Sequence, residues 1–173
     1  MCSTTLQKLT DAAAAGAVVT AVETVAERSF FAVVDRCPAQ VLSNLAGTVP
    51  HWMIATVRFE DGALHGWMSC LVPEPLAHEL FDGFSGRDPS ESAPGERDLY
   101  DLVGEFANMV CGTWLSRCVS DRAFRLAPPL VARIGAPALD GTGRVWVGIG
   151  NRPAAIDVSL QPQLEHAAAV ARA

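Results

Sequence analysis

The chain has 173 residues, 50% of them hydrophobic and 18% charged, with a net charge of −6 and a pI near 5.1. That length suits one domain spanning residues 1–173 with a proper buried core, and the apolar content argues against disorder over most of it. The acidic balance and thirteen scattered Lys and Arg residues argue against a nucleic-acid binder, which normally carries a basic face.

In chain order, Ala-rich composition and the apolar positions Leu6, Leu9, Ala13, Val18, Val22 and Val25 predict a long helix from Leu6 to Arg28. Ala12 to Val22 is too short to span a membrane. Glu23, Glu27 and Arg28 continue its helical pattern, so the run reads as an amphipathic helix of a cytoplasmic protein and not as a signal sequence. Phe30 to Val34 reads as a buried strand, and Cys37 to Val49, with Pro38, Asn44 and Gly47, as an irregular connection. His51 to Phe59 and Ala63 to Val72 read as strands joined by Glu60-Asp61-Gly62, since Asp-Gly between two such runs signals a hairpin.

Glu74 to Phe81 predicts a short helix. Residues Asp82 to Glu96, with three Gly, two Pro and three Ser, predict a loop. Asp98 to Val119 is the second long helix, and Phe124 to Leu126 a strand. An irregular Pro-rich stretch and a turn at Asp140 to Gly143 precede a closing hairpin, Arg144 to Ile149 and Ala154 to Leu160. Residues 162–173 form a tail with room for a short Ala-rich helix. This order lacks regular β-α-β alternation, so the expected fold is α+β, a mainly antiparallel sheet packed against two long helices.

Five cysteines (Cys2, Cys37, Cys70, Cys111, Cys118) without a C-x-x-C spacing suggest idle thiols. The four histidines show no zinc-ligand spacing, so no metal site is expected. Neither a G-x-x-x-x-G-K loop nor a G-x-S-x-G elbow occurs. The tryptophans Trp52, Trp67, Trp114 and Trp146 read as core.

The second long helix is the informative one. Steps of four, three and four place Asp101, Glu105, Asn108 and Gly112 on one stripe. Leu99, Leu102, Phe106, Met109 and Thr113 line a core-facing stripe, widened by Val103, Val110 and Trp114. Spacing alone supports only a solvated face. Yet Asn is a poor helix-interior residue, Gly104 and Gly112 each cost about 1 kcal/mol relative to Ala, and no Lys or Arg follows Asp98 until Arg117. A helix that accepts these costs is expected to let a partner's backbone come close.

Asp101-x3-Glu105-x2-Asn108, within Gly104-Glu105-Phe106-Ala107-Asn108-Met109-Val110-Cys111-Gly112, resembles the signature of the CheC/CheX/FliY chemotaxis phosphatases, and Asn-Met with a following glycine is similar to the CheX branch. The long first helix and the two hairpins also fall where CheX-like chains have them. The resemblance implies hydrolysis of the aspartyl phosphate on a response-regulator receiver domain that supplies its own Mg²⁺ and lysine, so that this chain binds no cofactor. It further implies that Asn108 orients the attacking water, that Glu105 pairs with the receiver's lysine, that Asp101 sits at the rim with Gly104 and Met109 on the docking face, and that Gly112 permits close approach. Leu6 to Arg28 contains no Asn, so one site per chain is expected, and a homodimer is implied. Two other functions stay open: a non-catalytic receiver-binding or switch-type adaptor of the same fold, and an unrelated α+β domain.

Overall fold

The structure, a computed structural model, describes residues 12–35, 37–62, 64–88, 92–138 and 144–162. In order these form α1 (Ala12–Ser29), β1 (Val34–Asp35), α2 (Ala39–Ala46), β2 (Trp52–Glu60), β3 (Leu64–Pro73), α3 (Glu74–Ser85), α4 (Glu96–Cys118), β4 (Arg125–Leu126), β5 (Leu130–Ile134), β6 (Val145–Ile149) and β7 (Arg152–Pro162). Among the described residues the strands make one antiparallel sheet in the order β1-β6-β7-β3-β2-β4, with β5 also on the open edge of β2. The expected α+β class and both long helices are present. Residues 6–11 of the predicted first helix, the turn at residues 140–143 and the tail beyond 162 lie outside the described residues.

Alternation in the strands sends one set of side chains to each sheet face. On the first face Met53, Ala55, Val57 and Phe59 of β2, Met68, Cys70 and Val72 of β3, and Ala154 and Ile156 of β7 share one core with α1 and α4. Arg117 of α4 donates to Thr24 Oγ1 of α1 at 3.2 Å, and Phe30 meets Phe106 edge-on at 5.3 Å, so α1 and α4 run antiparallel across this face. Among the described residues the second face is covered at one end, where Ala46 of α2 packs with Trp52, Leu71 and Ala155. Beyond it stand the hydrogen-bonded Thr56–Ser69 pair, the Arg144–Asp157 ion pair and Trp67, which is 40% exposed and so does not belong to the core as expected.

Four expectations need correction. Of Phe30 to Val34 only Val34 enters a strand. Phe30 is buried, and the amides of Phe30 and Ala32 both donate to Ala26 O, so these residues terminate α1. Phe31 takes the left-handed conformation (φ 53°) that glycine usually supplies at a helix end. Cys37 to Val49 is not irregular throughout, because Ala39–Ala46 is helical: Pro38 stands at its N-cap and Asn44 accepts from Gln40 one turn back. The predicted loop from Asp82 to Glu96 is shorter, since α3 runs to Ser85, Gly86 caps it at φ 63°, and Glu96 already begins α4. The Pro-rich stretch after Leu126 contains β5, a sheet-edge strand whose preceding Pro128-Pro129 removes no ladder hydrogen bond.

The thiols are placed as idle groups. Burial pushes the Cys111 thiol up to about 12 and raises Cys70 further, first by desolvation and then by the neighbouring Cys111 and Asp157, so neither forms a thiolate near neutrality. Native-state alkylation at pH 7.5 with peptide mapping is expected to label the exposed Cys37 and to spare Cys70 and Cys111 until the protein is unfolded.

Candidate functional site on helix α4

Helix α4 starts where the Asp98 carboxylate accepts the Gly95 amide (2.9 Å), half of a capping box, with Glu96 and Asp98 complementing the positive helix end. Arg117 sits in the last turn. Leu99, Leu102, Val103, Phe106, Val110 and Trp114 are buried, which fixes the rotation of the helix about its axis. With that rotation set, Asp101 and Glu105 are exposed, and Asn108 and Gly112 are half-exposed. The structure therefore brings the expected polar stripe together on one open ridge.

Asp101 stands farthest out and makes a loose ion pair with Arg97 one turn earlier (3.9 Å), an exposed pair of little energetic weight. Neither the Glu105 carboxylate nor the Asn108 amide has a hydrogen-bond or ion-pair partner among the described residues. Both side chains present their full bonding capacity outward, an acceptor in Glu105 and a donor and acceptor in Asn108. The groups differ from the ion-paired carboxylates elsewhere, such as Glu74 and Glu79, which Arg133 and Arg152 hold at 2.6 Å.

Beside the ridge, α4 and β5 enclose a groove of about 300 Å³ lined by Tyr100, Asp101, Gly104, Glu105, Pro129 and Val131. Asn108 lies farther along the ridge, outside this groove. The Tyr100 hydroxyl donates to Glu96 (2.9 Å), and that bond holds the phenol above its ordinary range, so Tyr100 is a neutral wall at physiological pH. The β5 wall, with Leu130 63% exposed beside it, stands where composition predicts an irregular Pro-rich stretch. Only the apolar Leu-Val pair and the Ile three residues on hinted at a strand there.

The glycines divide. Gly104 is buried, and a Cβ there would lie 3.1 Å from Pro129 Cγ and 3.3 Å from Val131 Cγ2. Its close approach is made to β5 of its own chain, which corrects the expectation that it spares room for a partner. Met109 is half-buried and packs on the core edge. Gly112 faces open space, with nothing within 4 Å of an added Cβ. Gly112→Ala is therefore expected to stabilise the protein by about 1 kcal/mol, raising Tm by roughly 2–4 °C in thermal unfolding.

Among the described residues no group of three or more His, Cys, Asp or Glu side chains is arranged to hold a metal ion, and no helix is long and apolar enough to cross a membrane. The solved structures of known proteins agree on the fold. The chemotaxis protein CheX of Vibrio vulnificus superposes with a TM-score of 0.61 at 17% identity, covering 84% of this chain and 95% of that one. CheX in a CheX–CheY–BeF3–Mg complex from Borrelia burgdorferi matches at 0.55 and 10% identity, over 84% and 96%. FliY of Thermotoga maritima matches at 0.54 and 13% identity, over 91% and 90%. No curated protein sequence matches the chain. The family model described as chemotaxis phosphatase CheX matches residues 53–144, which takes in β2 from its second residue, β3, the whole of α4 and β5. The chain belongs to the CheX family.

Proposed function

We propose that the protein hydrolyses the aspartyl phosphate of a CheY-like response-regulator receiver domain, using the α4 ridge as its active surface. The observation that carries this is the pair Glu105 and Asn108, held one turn apart on one helix with no partner for either side chain among the described residues. The family match and the CheX–CheY complex of a structural relative support the partner class.

The division of labour follows from the side chains. The receiver carries the Mg²⁺ and the lysine of its own site, and this chain contributes position. Glu105 pairs with the receiver's lysine and fixes the docked register. The Asn108 amide enters the acyl-phosphate site, accepts from the attacking water through its oxygen, and aligns the water with phosphorus. A glutamine orients water in the same way in GTPases. Holding a reactant in attack geometry can remove several kcal/mol of barrier, on the order of 7–11 kcal/mol at the limit, so a rigid helix with two polar groups is enough machinery. Asp101 remains at the rim and tunes approach. The absence of Asn from residues 6–28 gives one site per chain, and pairing of two copies and a cytoplasmic location belong to the same proposal.

The test is the lifetime of phosphate on a panel of receivers with Mg²⁺ and catalytic amounts of this protein. Shortened lifetime on at least one receiver is expected, and unchanged lifetimes across the cognate set would refute the phosphatase. Glu105→Ala is expected to weaken receiver binding and turnover together, by about tenfold for one lost charge-assisted pair, read by titration against beryllofluoride-loaded receiver.

A further inference from the structure

A second cavity, of about 460 Å³, lies at the far end of the β2–β3 hairpin from α2 and is lined by Arg58, Phe59, Glu60, His65, Gly66, Arg125 and Ala127. It shares no residue with the α4 groove. Strand register explains how its polar groups converge. Glu60 of β2 stands directly opposite His65 of β3 on one side and Arg125 of β4 on the other, and Arg58 follows two residues away on the same sheet face. Directly opposed side chains in an antiparallel pair have Cβ atoms about 4.5–5.5 Å apart, and diagonal neighbours remain within reach of long side chains. Arg122 ties the rim by its ion pair with Asp61 (2.6 Å), which joins the hairpin turn to the segment entering β4.

What sets this cavity apart is its arginines. Arg87, Arg97, Arg122, Arg133, Arg144 and Arg152 each pair with a carboxylate. Arg58 and Arg125 have no side-chain hydrogen bond or ion pair among the described residues, not even with the adjacent Glu60, and they share one cavity. Two free guanidiniums against one carboxylate give the cavity a net positive charge in a chain of net charge −6. Guanidinium forks match the oxygens of a phosphate in bidentate geometry. Glu60 between them repels a bare anion and requires a donor, such as a hydroxyl, on the same ligand. The cavity's size is that of a small-molecule site.

We propose that this cavity binds a small phosphorylated molecule bearing hydroxyl groups, its phosphate held by Arg58 and Arg125 and a hydroxyl by Glu60. The floor of the cavity reaches the catalytic helix, because Phe59 packs against Trp114 of α4 at 6.0 Å between ring centres. The site itself does not depend on the phosphatase assignment.

Isothermal titration of the full chain at constant ionic strength tests it, with AMP, inorganic phosphate and citrate as probes. Saturable AMP binding, tighter than that of inorganic phosphate, is expected. Arg58→Ala and Arg125→Ala should each weaken AMP by about tenfold, while Arg28→Ala, an exposed arginine elsewhere, should leave it unchanged. Equal binding of phosphate and AMP would refute the hydroxyl contact to Glu60. Citrate binding without AMP binding would refute the phosphate assignment. Absence of saturable binding by all three probes, or AMP binding indifferent to both arginine variants while circular dichroism confirms folding, would overturn the site. Receiver dephosphorylation by the same samples is read separately, so loss of one function is distinguishable from loss of the other.

Discussion

Asn108→Ala is expected to remove the acceleration of receiver dephosphorylation, lowering the turnover rate by about a hundredfold or more, the usual cost of deleting one preorganised polar group from a reaction site. Binding to beryllofluoride-loaded receiver should change little. The asymmetry follows from where the side chain stands. Asn108 is half-exposed, bonds to nothing within the described chain, and its removal leaves no buried group unsatisfied. Ala is also the better helix former, so the variant should be at least as stable as the parent. Asn108→Gln sharpens the test, because it keeps the amide but moves it outward by one methylene. A displacement of about 1 Å can cost about a hundredfold when alignment is the source of rate. Gln is therefore expected to behave nearly as poorly as Ala. Full activity in both variants would remove Asn108 from the mechanism whatever the fold.

Phe106→Ala is expected to destabilise the protein by about 3–5 kcal/mol, against a total of roughly 5–15 kcal/mol for a domain of this kind. Phe106 is fully buried and meets the ring of Phe30, which in turn stacks on Phe84 at 5.2 Å. The three rings join the end of α1, the end of α3 and the middle of α4, so truncation leaves a cavity lined by three separate elements that cannot easily collapse. Phe106 also sits between Glu105 and Asn108 in sequence, on the opposite face, and so sets the rotation that turns both outward. Urea unfolding should show a lower midpoint with an unchanged slope. A loss below about 1 kcal/mol would mean that α4 is seated by other contacts.

The parts legible in the sequence were those set by local chemistry. Asp61-Gly62 marks its hairpin because the turn needs the positive φ of Gly62 (86°). The closing hairpin, expected around Asn151-Arg152-Pro153, turns slightly earlier, at Gly150-Asn151, both at positive φ, and Arg152 already begins β7. The α4 ridge is legible because helical period and polarity agree from Asp101 to Gly112, about three turns. The segments that were misread depend on distant partners. Phe30 to Val34 has strand composition, but Phe30 is claimed by Phe106 and Phe84, and only Val34–Asp35 finds a ladder, on β6. β5 has five residues and no inward-outward alternation, and it exists because the edge of β2 is open to it, Trp52 to Thr56 against Ile134 to Leu130. α2 is eight residues long, too short to hold without packing, and Ala46 seats it on Trp52, Leu71 and Ala155. Gly104 was recognised as costly in a helix, but the surface that requires it proved to be the chain's own β5.

The central claim is that the unpartnered Glu105–Asn108 pair on α4 does the chemistry. The measurement that tests it most directly is the first-order decay of labelled acyl phosphate on one cognate receiver, with Mg²⁺ present. Decay is followed against rising concentrations of the parent protein and of the Glu105→Ala/Asn108→Ala double variant. The account predicts decay that speeds up to saturation with the parent and stays at the receiver's own rate with the double variant. Equal acceleration by both proteins would place the site elsewhere, and tight binding of the parent without any acceleration would make the protein a receiver-binding adaptor.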